Sequence, residues 1–372
     1  EIRVSGEDRV RSTQANFYSL EYLAPGTYVV EVRAISGNPD TDPSEWVKFD
    51  YVREAESGLR YKLINNRTEY EVIGAGTAMG DVVMESVYRG KPVTSIAAKA
   101  FNNNKKITSM VIGGNVKTIG KNAFNRCSEL VSITIPESVT FIDGYAFQSC
   151  KSLTTIKLPS QVKEVTPYMF SWCSALTNVE MGGQVASIGE YAFSNCEALA
   201  TITLPDSVKT IGEYAFSGDS YMICLDENMQ VGAVSSEGNY MYTYHAPKLE
   251  IVDLSNAESI GKYAFVYCHE LTTVNLGENI TEIPEYAFAD CKNLTSIDLS
   301  NIEKVGQYAF SECRALTNVV LGMAETIGEG AFIYNESLLD VMLNPEGCVL
   351  ETNAFAECRM LNGVQNLNVV TS

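Results

Sequence analysis

Phenylalanine returns at a fixed interval through most of this chain, and a fixed interval of that length leaves few folds open. Phe101, Phe124, Phe147, Phe170, Phe193 and Phe216 are each 23 positions apart, and after a gap of 49 the series resumes at Phe265, Phe288, Phe310, Phe332 and Phe355. Around each phenylalanine lies one phrase: Ile-Gly-x-x-Ala-Phe-x-x-Cys, then Leu-x-x-Ile-x-Leu-Pro. Periods of about 20 to 50 residues mark stacked repeats, in which a unit too small to bury its own apolar face buries it against its neighbours.

The stretch from Leu199 to Phe216 shows what one unit builds. Leu199, Ile202 and Leu204 are apolar while Thr201 and Thr203 alternate with them, which predicts a short strand. Pro205 has no amide proton and ends it, and Asp206 and Ser207 turn the chain. Val208 and Ile211 point inward from a second extended piece, and Gly212 permits the next bend. Glu213 to Phe216 then reads as a helical turn with Ala215 and Phe216 facing in. The expected fold is an α/β repeat solenoid, a right-handed coil with a parallel sheet of short strands, preceded by a small all-β segment.

Composition narrows the partners. A hydrophobic fraction of 45% supports a packed interior, and a net charge of −19 opposes binding to nucleic acid or an anionic membrane. No stretch approaches the roughly 20 apolar residues of a membrane-spanning helix. Cys127, Cys150, Cys173, Cys196, Cys268, Cys291, Cys313 and Cys358 all stand three residues after a repeat phenylalanine, with Asn104 and Asn335 at that place in two other copies. One shared site reads as a column of buried thiols. Cross-rung disulfides are a lesser reading, and zinc is disfavoured because no Cys-x-x-Cys pair occurs.

Three regions depart from the phrase. Residues 217–250 read as a degenerate copy that holds Tyr221, Tyr240, Tyr242, Tyr244, Cys224 and His245, and either decay or function explains them. Residues 54–93 read as a hairpin capping the N-terminal end of the array, which then runs over 94–372 and, keeping Leu361 and Val364 but losing the closing Leu-Pro, frays or is capped there. Residues 1–53 alternate from Tyr28 to Ala34 after an Ala24-Pro25-Gly26 turn. With Leu-x-Pro-Gly-Thr-x-Tyr-like spacing and the Val32-Arg33-Ala34 strand, this piece resembles part of a fibronectin type III module.

The array itself resembles the BspA-type leucine-rich repeats. The stretch from Ile188, IGEYAFSNCEALATITLPDSV, carries that signature in full, while Met169 in place of Ala and Leu-Gly or Leu-Ser in place of Leu-Pro depart from it. The resemblance implies a noncatalytic secreted or cell-surface protein of bacterial type that binds or adheres to a host extracellular protein or glycan as a monomer, without a cofactor. A structural or accessory spacer of a larger secreted enzyme is the alternative.

Two columns are candidate binding rows. Tyr145, Tyr168, Tyr191, Tyr214, Tyr263, Tyr286 and Tyr308 each precede the repeat phenylalanine by two. Stacked tyrosines could grip a sugar or a partner, or could shield the coil by packing on one another. Along the strands, Thr134, Lys157, Glu180, Thr203, Asp253, Asn275, Asp298 and Val320 form a polar, mildly acidic lane that either meets a ligand or is simply solvated. Catalysis has little to build on: Cys224 and His245 are the one thiol and imidazole in irregular sequence, and His269 follows the repeat register.

Overall fold

In the computed structural model each copy of the phrase becomes one turn of a coil with three sides. The structure describes residues 1–4, 26–35, 43–53, 57–218, 247–365 and 369–371. The chain divides into two compact units, Glu1–Gly58 and Leu59–Ser372.

The first side of the coil is the Leu-x-x-Ile-x-Leu strand. Ser132–Thr134 pairs in parallel with Ile107–Val111, Thr155–Lys157 with Asn178–Glu180, Ile251–Leu254 with Thr273–Leu276, and Asn318–Leu321 with Asp340–Leu343. Ile133, Ile156 and Val179 are buried between exposed neighbours, as the alternation requires. The second side is a shorter strand, where Ile119 lies beside Ile142 and Ile188 beside Ile211. Register advances by whole repeats, so each apolar position stacks on its own counterpart.

The third side corrects the α/β expectation. Glu213 to Phe216 and its counterparts form successive turns, and among the described residues the one helical element is the 3₁₀ turn Asn65–Arg67. The fold is therefore a β-solenoid. An α-helix spends its amides along its own axis, whereas here every second amide serves the next turn of the coil. Phe124 and Arg126 donate their backbone N–H to the carbonyls of Ala146 and Gln148 at 2.8 and 2.7 Å, while Ala123, Asn125 and Cys127 donate within their own turn to Gly120, Asn122 and Phe124. Left-handed residues two before and two after the phenylalanine make this alternation possible; in one turn these are Tyr145 at φ 62° and Ser149 at φ 58°.

The repeat phenylalanines fill the interior as one continuous column. Neighbouring rings stack with centroids 4.8–5.7 Å apart and planes within 16°. The thiols form a second column beside it and are free, Cys150 donating its Sγ hydrogen to the Phe124 carbonyl at 3.1 Å and Cys196 to that of Phe170 at 3.2 Å. Where asparagine replaces cysteine, Asn335 Nδ2 donates to the carbonyls of both Phe310 and Phe332. Burial pushes the Cys173 thiol up to about 12, which keeps it protonated and unreactive.

The column passes directly from Phe216 to Phe265, whose rings stack at 5.2 Å. Thr210 and Ile211 pair with Ser259 and Ile260, and Cys268 donates to the Phe216 carbonyl. Residues 219–246, with Tyr221, Tyr240, Tyr242, Tyr244, Cys224 and His245, lie outside the described residues.

At the N-terminal end of the coil, Arg60–Ile64 and Glu69–Gly74 form an antiparallel hairpin, and Glu69–Gly74 runs parallel to Lys91–Ile96. Gly80–Val83 already pairs in parallel with Ile107–Val111, so the coil begins inside the stretch read as its cap. At the other end Gly363–Gln365 pairs with Asp340–Leu343 and Val369–Thr371 with Cys348–Leu350, so both lanes continue past Leu361. The first unit contains an antiparallel sheet in which Gly26–Val32 lies between Ile2–Val4 and Val47–Arg53. Trp46 in that unit is held between the guanidinium groups of Arg3 and Arg33, 4.3 and 4.5 Å from its ring.

Candidate functional site

The tyrosine column is a product of the third side of the coil. From Tyr145 to Tyr308 each tyrosine has a positive φ, between 52° and 62°, and each is half-buried. Their rings stack 4.5–4.9 Å apart with planes within 16°. The two ends are also covered: Lys121 Nζ lies 5.3 Å from the Tyr145 ring, and a Cβ on Gly330 would meet Tyr308 Cε1 at 2.5 Å. The ring faces are therefore used within the column, and what the column offers outward is a row of ring edges and hydroxyls.

Carboxylates border that row. Tyr168, Tyr263 and Tyr308 donate their hydroxyls to Glu190, Glu285 and Glu329, each in the following turn, at 3.4, 3.2 and 3.2 Å. Burial first, with the nearby charges of glutamates and neighbouring phenols, raises the tyrosines at 168, 214 and 263, and Tyr286 reaches about 12. The phenols remain donors throughout the physiological range. Sequence reading found the tyrosines and missed these glutamates, although the Gly-Glu-Tyr and Pro-Glu-Tyr spellings mark Glu190 and Glu285.

The strand lane is exposed along its length, but its acidic members are occupied locally. Glu180 accepts from Lys157 Nζ at 2.6 Å. Asp253 Oδ1 accepts from the Ser255 amide at 3.0 Å and from Asn275 Nδ2 at 2.9 Å, and Asp298 Oδ1 accepts from the Ser300 amide at 2.9 Å. Hydrogen bonds from these serines hold both aspartates below the usual carboxylate range. Each closes the turn where serine has replaced the strand-ending proline, a role legible in the Asp-Leu-Ser spelling. Glu180, Asp253 and Asp298 do not converge with the tyrosines on one pocket, since they sit on a different side of the coil.

A third group was not anticipated. His269 Nε2 lies 3.0 Å from Asp290 Oδ2, and Lys292 Nζ lies 3.3 Å from Asp290 Oδ1. His269 faces away from Cys268, whose buried Sγ donates to the Phe216 carbonyl. The offsets of 21 and 23 residues from Asp290 and Lys292 to His269 and back, one turn of the coil, are the signal that could have found it. Among the described residues no cluster of three or more His, Cys, Asp or Glu is placed to hold a metal ion, and no helix is long and apolar enough to cross a membrane.

The chain is similar to several known proteins. Solved structures similar to it include a leucine-rich cell surface protein from Faecalibacterium prausnitzii, 26% identical over 86% of this chain and 94% of that one, with a TM-score of 0.38. A leucine-rich repeat protein from Bacteroides ovatus is 23% identical over 87% of this chain and 100% of its own, with a TM-score of 0.38. The pneumococcal vaccine antigen PcpA is 17% identical over 85% and 98%, with a TM-score of 0.40. None of the curated proteins compared with the chain matches it. The model of the BspA type leucine rich repeat region matches residues 94–223 and 237–362 in 6 copies, well over half of the chain, and the chain therefore belongs to the BspA-type leucine-rich repeat family.

Proposed function

We propose that this chain is a noncatalytic binding or adhesion protein, secreted or held at the cell surface, which offers its repeat surface as a monomer to a host extracellular protein or glycan. One observation carries the reading: tyrosine stands at a left-handed backbone position in turn after turn. Bulky side chains with positive φ are outliers that cost of order 1 kcal/mol or more each. Near the two ends the same position holds Lys99 and three residues of types that tolerate it well, Asn122, Gly330 and Asn353. Stacking offsets part of the cost, and the hydroxyl edges with their bordering glutamates make a long polar row suited to hydrogen-bonding a partner.

On this reading Tyr145, Tyr168, Tyr191, Tyr214, Tyr263, Tyr286 and Tyr308 contact the partner, and Glu180, Asp253 and Asp298 add contacts from the strand lane. The first unit is read as part of a fibronectin type III-like module, supported by its antiparallel sheet. The test is a screen of the purified chain on panels of host matrix proteins and glycans, followed by replacement of Tyr191, Tyr214 and Tyr263 with asparagine. A saturable binder that the triple variant loses supports the proposal. The absence of any binder on both panels, or an unchanged affinity in the variant, overturns it.

A further inference from the structure

One junction in the coil differs from the rest. Between the turn carrying Phe147 and the turn carrying Phe170 both strand lanes lose their registered pairing: Ser132–Thr134 is not paired with Thr155–Lys157, nor Phe141–Ile142 with Glu164–Val165. The phenylalanine rings there stand 5.7 Å apart, the widest step in the column. The aromatic side stays closed, with Tyr145 and Phe147 donating their amides to the Pro167 and Met169 carbonyls at 3.0 Å. On the strand side the Thr154 amide still donates to the Val131 carbonyl, but at 3.3 Å against 2.8 and 2.9 Å for the corresponding Val131 and Thr177 amides, so the turns are looser there.

Thr166 is the corner residue at this junction; Asp143 and Glu351 hold the same corner elsewhere and donate their amides to the Ile119 and Ile327 carbonyls at 2.9 Å each, whereas Thr166 meets the preceding turn through its side chain. Gly189 and Gly212 run so close to the preceding turn that a Cβ would meet its backbone at 2.7 Å, and their amides donate to the carbonyls of Val165 and Ile188 at 2.7 and 2.8 Å. Thr166 occupies this corner in the Phe170 turn. It is β-branched and is further restricted by Pro167, and it reaches the Ile142 carbonyl through its hydroxyl at 3.0 Å. Pro284, which has no amide to give, holds the same corner at the other interruption of the second lane, between Ser259–Ile260 and Glu282–Ile283.

The looser turns leave a cleft of about 440 Å³ between Thr140–Ile142 and Gln161–Glu164, within the usual range of small-ligand sites. Ile142 and Val162 form its buried floor, while Thr140, Gln161, Lys163 and Glu164 are exposed at its rim. Phe141 is 47% exposed. Its counterparts in adjoining turns are Thr118, Glu164, Ser187 and Thr210, so an aromatic side chain at this place is particular to the cleft. Phe141 belongs to neither stacked column, and its ring is not used up as those of the tyrosines are.

An aromatic surface beside an amide, an ammonium, a hydroxyl and a carboxylate suits a ligand with one C–H face and a rim of hydroxyls. We propose that this cleft binds a pyranose ring of a glycan. The apolar face of the sugar lies on Phe141, and its hydroxyls reach Gln161, Lys163 and Glu164. The mixed charge of the rim favours a neutral sugar over one bearing a carboxylate. The proposal rests on the reading of the chain as a binding protein and names one ligand class for it.

Saturation-transfer NMR with free methyl pyranosides, one neutral, one N-acetylated and one carrying a carboxylate, tests the cleft directly. The wild-type protein transfers saturation to ring protons of a pyranoside. Phe141→Ala weakens that binding about fivefold or more, the worth of one aromatic contact, while Phe141→Tyr retains it and Thr210→Ala, three turns away in the same lane, leaves it unchanged. Circular dichroism and thermal melting show that the variants are folded. Binding that Phe141→Ala does not weaken overturns the cleft and leaves the general binding reading standing. No transfer to any of the pyranosides also overturns the cleft, and the binding reading is then decided by the protein and glycan panels.

Discussion

A left-handed backbone is a poor place for a large side chain, and this molecule keeps tyrosine there from Tyr145 to Tyr308. The balance between backbone strain and ring stacking can be read at a single residue. Tyr286 has φ 54° and stacks on Tyr263 and Tyr308 at 4.9 Å on each side. Replacing it with alanine removes both stacks and keeps the strain, whereas glycine removes both. Tyr286→Gly is therefore expected to be more stable than Tyr286→Ala by about 1 kcal/mol, the reverse of the order inside a helix. Urea denaturation of the two variants checks the sign. The thiol column follows similar logic, since Asn335 meets the same carbonyl demand as cysteine through a different donor.

At the scale of the element, two lanes and an aromatic row set how closely the turns approach. Gly261 lies where a Cβ would meet Glu213 N at 2.4 Å, with no positive φ involved. Gly261→Ala must push two turns apart, and a loss of about 1–3 kcal/mol is expected from such overpacking, measured by thermal or chemical unfolding. The aromatic row makes a second prediction, in pH. Tyr168, Tyr214, Tyr263, Tyr286 and Tyr308 all have raised phenol pKa values, chiefly through burial. Below about pH 10 folded and unfolded chains both keep the phenolic protons, so the row's contribution is fully present. Above it the unfolded chain releases protons that the folded chain still holds, and stability falls as pH rises through the folded values. Unfolding midpoints measured from pH 8 to 12 should drop beyond pH 10, and tyrosinate absorbance of the folded protein should lag behind that of the unfolded chain.

At the scale of the whole repeat unit, stability is a sum over neighbouring turns. Phe193 is fully buried with stacked partners at 5.4 and 5.3 Å, whereas Phe355 is half-buried and among the described residues stacks on Phe332 alone. Phe193→Ala should cost about 3–5 kcal/mol, and Phe355→Ala clearly less. Denaturant unfolding followed by two probes should also separate into more than one transition in Phe193→Ala, because the variant weakens a link in the middle of the stack. Equal costs for the two substitutions would mean that the turns do not act through nearest neighbours.

The repeat period, the short strands, the buried phenylalanines and the buried thiols were all legible in the chain, because a residue that recurs at one interval must meet the same surroundings in every turn. The tyrosine row could be named for the same reason. What spacing alone left open was the direction of hydrogen bonds and the contact between distant segments. An Ala-Phe turn that looks helpful to a helix gives every second amide to the next turn, so the α/β class became all-β only when the turns were stacked. The join of Phe216 to Phe265, the glutamates bordering the phenols, the serines that occupy Asp253 and Asp298, and the looser junction beside Phe141 are likewise tertiary facts. Each depends on which backbone lies one turn away, and local sequence carries no measure of that distance.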